Sequence, residues 1–274
     1  ADGWICVGGG ENASCTGGNW KNIKEESVTI RHALMEDWED AGAEGIIRTD
    51  VRDTSVSLSP AFNPGTGSDG DVTVQYNTNI NTTSLIAGRS CADGGDAVNY
   101  NITAFTSSTT ATLSSAPSVG CLAVGDEVLI INLQGTYTAM DNVGNYETLE
   151  ISEISGSTVT FKTAKKNYYG DGLTDDTNLG TSTSTQRVML QRVPHYRNLT
   201  VQSGVNFYPS AWNGVKGGVI FFRASVSANI NGTIDVSGIG YRGAGSDQSV
   251  RNGGDGGEAF CGIGGVGGPN GVAG

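Results

Sequence analysis

Residues Gly217–Ser237 read GGVIFFRASVSANINGTIDVS, and no other stretch limits the possible folds so tightly. Its even positions run Ile220, Phe222, Ala224, Val226, Ala228, Ile230, Gly232, Ile234, Val236. From Arg223 onward the odd positions are Arg, Ser, Ser, Asn, Asn, Thr, Asp and Ser. A period of two sustained this far means extended chain with one apolar and one polar face. The stretch is too long for a single ordinary strand. It therefore reads as two or three short strands, bent at Ser225 and at Asn231-Gly232, the latter a turn dipeptide. Strands that keep one face inward through each bend build either the coils of a β-solenoid or a hairpin. Phe222, Val226, Ile230 and Ile234 are expected to point inward together.

The rest of the chain supports an all-β class. Strand patterns occur at Asp71–Tyr76, Val98–Phe105, Thr109–Ser114, Val128–Leu133, Tyr146–Ile154, Thr158–Thr163, Gln186–Val193 and Leu199–Val205. Ser155-Gly156-Ser157 joins two of them as a hairpin, and Pro194 connects the last two. The expected organisation is an N-terminal arm, helix and first strands over 1–89, a β-solenoid or β-sandwich-like body over 90–236, and a glycine-rich tail over 237–274. Residues 1–24 read as an irregular arm clipped by cysteines. Residues 25–44 form the one helix candidate, with Ile30, Ala33, Leu34, Trp38 and Ala41 at helical spacing. In the tail 15 of 38 residues are glycine, and Gly262, Gly265, Gly268, Gly271 and Gly274 recur every third position. That period suits polyproline-II-like chains packed at a glycine seam, or else a plain flexible tail.

Composition then excludes several functions. The formal charge is −12, with 28 acidic against 16 basic residues. No basic stripe is present to neutralise phosphates, so nucleic acid is not an expected partner. No apolar run approaches the ~20 residues of a membrane helix, so no membrane insertion is expected. The start Ala1-Asp2-Gly3 reads as a processed, mature terminus. The small polar residues and low charge content suggest an extracellular or cell-surface setting.

Five cysteines fit that setting. The short spacings make Cys6–Cys15 and Cys91–Cys121 the simplest disulfides, leaving Cys261 unpaired or intermolecular. A 91–121 bridge would contribute roughly 3–4 kcal/mol by restricting the unfolded chain. The rival is metal binding, but no C-x-x-C occurs and His32 and His195 are the only histidines. Acceptor sequons for N-glycosylation stand at Asn12, Asn81, Asn101, Asn198 and Asn231.

Four blocks carry a family resemblance: GCLAVGDEVLIINLQGT (120–136), NYETLEISEISGSTVTFKTA (145–164), QRVPHYRNLTVQSG (191–204) and WNGVKGGVIFFRASVSANINGTIDVSGIGYRG (212–243). In this order they resemble large secreted bacterial surface proteins with glycine-rich regions, of the adventurous-gliding-motility type. The first two blocks also look like the lead-in to pectate-lyase-like β-helices. The resemblance covers about residues 90–274 and implies fold and location, with no catalytic signature.

Catalytic chemistry finds little support. Asp171, Asp175 and Asp176 in one loop could hold Ca²⁺, but the pattern lacks the glycine and terminal glutamate of an EF-hand. Asp69 and Asp71 read as turn residues. Asp235 and Arg223 share the polar face of the opening stretch without a second acid, so the paired carboxylates of a glycosidase are missing. No enzyme activity and no cofactor are expected. The expectation is a structural protein that assembles with itself by β-strand addition, residues 1–24 being the donor. The alternative is an adhesin binding glycans through Trp212, Tyr208 or Tyr241, and the third reading, behind both, is a polysaccharide-active β-helix enzyme.

Overall fold

The structure is a computed structural model, and it describes Trp4–Val7, Asn19–Asn22, 63–136 and 138–241. The chain divides into two compact units, Ala1–Asn63 and Pro64–Gly274. In the first unit, β1 (Trp4–Val7) pairs antiparallel with β2 (Asn19–Asn22), Cys6 standing opposite Trp20. The segment expected to be an irregular arm thus contains a strand pair, whose ladder satisfies backbone groups that an irregular arm would leave to water. The helix candidate at 25–44, Cys15, Cys261, Asn12 and the glycine triplets lie outside the described residues. No helix occurs among the described residues.

The second unit contains two β assemblies. One is a stack of parallel strands. Here β3 (Asp71–Val74), β11 (His195–Val201) and β13 (Arg223–Ile230) form one sheet in the order β13-β11-β3. A second sheet runs β14-β12-β4, from β4 (Thr78–Asn79), β12 (Asn206–Tyr208) and β14 (Thr233–Ile234). Each coil contributes one strand to each sheet, and all ladders are parallel. The opening stretch is the third coil, and its strands are stacked as solenoid coils, not folded into a hairpin. The expected bend at Asn231-Gly232 separates β13 from β14. The one expected at Ser225 is a register shift inside β13, opposite Tyr196–Asn198.

The other assembly is a closed antiparallel barrel inserted between the first and second coils. Its strands are β5 (Asn99–Ser107), β6 (Thr110–Leu113), β7 (Glu127–Gln134), β8 (Tyr146–Ser155), β9 (Thr158–Phe161) and β10 (Arg187–Arg192). They close in the order β10-β5-β6-β9-β8-β7. This part is a barrel and not a sandwich because β10 uses both edges, pairing β5 on one side and β7 on the other. Closure removes the exposed edges an open sheet would present. Its interior is apolar, with Tyr100, Ile102, Leu113, Val128, Ile130, Ile151, Phe161, Val188 and Leu190 buried together.

A separate cluster fills the solenoid: Val72, Val74, Ile80, Tyr196, Leu199, Val201 and Phe207. Phe222 packs against it, its ring centroid 6.1 Å from Tyr196 and 5.9 Å from Phe207. All six residues of β10 are buried. Val188 and Leu190 enter the barrel core, while on the outer side Gln191 Oε1 accepts from Asn81 Nδ2 at 3.1 Å. The Cys91–Cys121 disulfide is formed and links the approaches to β5 and β7.

Candidate functional site

The candidate site is the side of the third coil that no strand among the described residues covers. Ala224, Ala228 and Ile230 stand opposite Tyr196, Leu199 and Val201, three fully buried residues, so the alternation assigns the apolar face correctly. Burial does not follow along the whole row. Phe222 is partly buried, but Val226 is 71% and Val236 52% exposed, and Ile230 and Ile234 are also exposed. This corrects the expectation that Phe222, Val226, Ile230 and Ile234 share one interior. No coil among the described residues follows β13 and β14, whereas at the other end of the same sheets Val72, Val74 and Ile80 of the first coil are covered and buried. An apolar row of this length beside an unpaired strand edge is what a further strand would cover.

Three features place this coil. First, the backbone N–H of Arg223 donates to Pro194 O at 2.8 Å, setting the start of β13 beside β11. Second, the loop around Gly65 and Gly67 lies across that start with positive φ at both. A Cβ on Gly65 would come within 2.7 Å of Arg223 Cβ, and one on Gly67 within 2.4 Å of Ser225 Oγ. Third, the bend at Gly232 presses on the coil below, where a Cβ would meet Gln202 O and Val205 O at 2.3 Å. Ser227 Oγ adds a bond to Asn198 Oδ1 at 2.8 Å.

A charged clasp ties the coil to the barrel. Arg223 holds Glu127 of β7 with both forks, Nε to Oε2 at 2.5 Å and Nη2 to Oε1 at 2.6 Å. His195 Nε2 lies 2.5 Å from the same Oε2. The backbone N–H of Thr66 donates to His195 Nδ1 at 3.1 Å, so Nε2 carries the ring proton and donates to Glu127. Burial opposes the charge on Glu127, but hydrogen bonds from Arg223 and His195 outweigh it and hold the carboxyl down at about 2. Beside it, Arg192 Nη2 pairs with Asp69 at 2.7 and 3.0 Å, and its Nε lies 3.0 Å from Asp126 Oδ1. That last contact is a charge pairing without a well-aligned hydrogen bond.

Thr66 Oγ1, His195 and Glu127 do line up, the hydroxyl 3.1 Å from Nδ1. The arrangement is not a nucleophile–base pair. The Nδ1 lone pair already accepts the Thr66 N–H, and Arg223 neutralises the carboxylate that would support an imidazolium. Its chemistry is electrostatic fastening.

The residues singled out in the sequence are dispersed. Asp171 and Asp175 accept from the Thr177 hydroxyl, while Asp176 pairs with Lys165. Asp71 pairs with Arg197 and accepts from Asn198 Nδ2. Asp235 accepts from the Ser237 N–H while Arg223 faces Glu127, so the two do not form one site. Trp212 is buried, its ring edge-on to Tyr241 at 5.8 Å, and Tyr208 is half-buried. Among the sequons, Asn81 and Asn101 are buried, their amides donating to Ala97 O and Val188 O, which leaves no room for a glycan. Asn198 is held in the ladder between Asp71 and Ser227, and Asn231 is exposed.

No family model matches the chain, and no curated protein matches it. Solved structures similar to it include the tailspike gp61 of Pseudomonas phage phi297, at 22% identity over 59% of this chain and 25% of that one, with a TM-score of 0.22. The tailspike gp49 of Pseudomonas phage LKA1 is 16% identical over 52% of this chain and 27% of that one, with a TM-score of 0.24. The Gp54 tailspike of Acinetobacter baumannii bacteriophage AP22, solved in complex with A. baumannii capsular saccharide, is 13% identical over 60% and 29%, with a TM-score of 0.24. The chain spans about a quarter of the length of these tailspikes.

Proposed function

We propose that this chain is an extracellular structural subunit that assembles with copies of itself by β-strand addition at the third coil. The observation that carries the reading is the exposed row Val226, Ile230, Ile234 and Val236 beside the edge of β13 that no strand among the described residues pairs. A strand laid along that edge would satisfy its N–H and C=O groups and cover the apolar row in one step. The contact is head-to-tail, so it propagates as a filament when its rotation does not close. The donor we propose is the N-terminal segment 1–24 of a neighbouring copy. The reading includes no catalytic step and no cofactor. Deleting residues 1–24 tests the donor: the truncated protein should keep its β circular dichroism and form no filaments, and normal filaments would exclude this donor.

A second reading, as a glycan-binding surface module, is favoured by two exposed tyrosines on the barrel. Asn167 Nδ2 donates to Tyr146 O at 2.8 Å and Asn145 Nδ2 to Tyr168 O at 2.9 Å, which brings the two backbones together. Both rings are exposed and could stack on sugar faces. A glycan array with the intact chain and with Tyr146→Ala tests it, binding that depends on Tyr146 being the supporting result and no binding the opposing one.

A further inference from the structure

We infer that Lys165 and Asp176 are joined in the mature protein by an isopeptide bond, a side-chain amide between Lys165 Nζ and Asp176 Cγ. The inference stands apart from the assembly reading and rests on a different part of the molecule.

Lys165 Nζ lies 2.5 Å from Asp176 Oδ2, and the lysine side chain is only 5% exposed. Three aromatic rings surround the amine, with centroids at 5.1 Å for Phe105, 5.0 Å for Tyr168 and 5.8 Å for Tyr169. Phe105 and Tyr169 stack on each other at 5.5 Å, and Tyr169 is fully buried in the barrel core. Both partners are also held from behind. Lys165 Nζ donates to Asn167 O at 2.9 Å, and Asp176 Oδ1 accepts the Tyr169 N–H at 3.1 Å. Glu147 accepts from the Lys166 and Asn167 N–H groups and from the Tyr169 hydroxyl, which fixes the loop carrying the amine. The other lysine–carboxylate pair described, Lys162–Glu150, is 64% and 45% exposed and has no such enclosure.

The pair is held largely out of water, the lysine side chain being 5% and the aspartate side chain 20% exposed, so an amide formed there is shielded from hydrolysis. Lys165 gives one proton to Asp176 across the 2.5 Å contact. The amine lone pair then attacks Cγ and forms the C–N bond. A second nitrogen proton moves to the departing hydroxyl, the C–O bond breaks and water leaves. Atoms and charge balance, nothing is oxidised or reduced, and no co-reactant is needed. Fixed proximity supplies the effective concentration that amide formation in water lacks. The product would lock the loop that carries Tyr169 into the barrel.

The test is the intact mass of the full chain after denaturation and disulfide reduction, with tryptic mapping. The expected mass is one water below that of the sequence, with a branched peptide joining Lys165 to Asp176. Asp176→Asn should reach the same final mass as the unsubstituted protein, by release of ammonia. Lys165→Arg keeps the charge, cannot form the bond and should show the full sequence mass. A full-length mass for the unsubstituted chain, with normal tryptic cleavage at Lys165, would overturn the inference. So would a water loss that persists in Lys165→Arg, since that points to a succinimide elsewhere.

Discussion

Arg223, the first residue of β13, grips Glu127, the first residue of barrel strand β7, through both guanidinium forks at 2.5 and 2.6 Å. The contact fastens the two β assemblies across a sequence separation of 96 residues. Its energetics follow from the pH dependence of Glu127, whose carboxyl is lowered from 4.5 to about 2 in the folded state. A depressed carboxylate contributes stability that is present above its unfolded value and lost as pH falls through its folded one. Urea unfolding should therefore show a loss between about pH 4.5 and 2, on the order of 3 kcal/mol from this group. Glu127→Gln should remove most of that dependence.

The alternation in β13 marks a face without stating its burial, and substitutions can separate the two. Val201→Asp, in the second coil, should prevent folding because an unpaired charge enters a closed apolar layer. Ile230→Asp stands opposite it in register yet is exposed, so the protein should fold with a cost of about 1 kcal/mol. Equal loss of circular dichroism in both would show that the third coil is a closed layer.

Gly232 should not tolerate a side chain. Alanine there would push its Cβ against Gln202 O and Val205 O, backbone atoms of the coil below. Gly232→Ala should destabilise the chain by about 1–3 kcal/mol, read as a lowered urea midpoint. Alanine at Gly204 has open space around its Cβ but a positive φ, so only backbone strain of about 1 kcal/mol should register there.

Reduction of Cys91–Cys121 should lower stability by roughly 3–4 kcal/mol through the freedom returned to the unfolded chain. Equilibrium unfolding of the double Cys→Ser variant measures it. Non-reducing peptide mapping should recover the same bridge from native protein.

The hairpins of the barrel were legible because their signals are local. Ser155-Gly156-Ser157 turns between β8 and β9, and Gly156 has the positive φ that the turn requires. The partners of β10 and β3 were not legible. Period two assigns faces but not neighbours, and β3 pairs with β11 across the whole inserted barrel. The clasp of Glu127, His195, Arg192 and Arg223 escaped for the same reason, since its members sit in four strands and no short motif contains them. Asn81 and Asn101 show the converse limit: their sequons are local patterns, whereas their burial is set by β10 packing over them.

Assembly through the side of the third coil that no described strand covers has a direct test. Negative-stain microscopy of the full chain, beside a Val226→Asp/Ile230→Asp variant that retains its β circular dichroism, tests it most directly. Filaments are expected for the unsubstituted protein and isolated particles for the variant. Isolated particles for both, or filaments unchanged by the two aspartates, would contradict it.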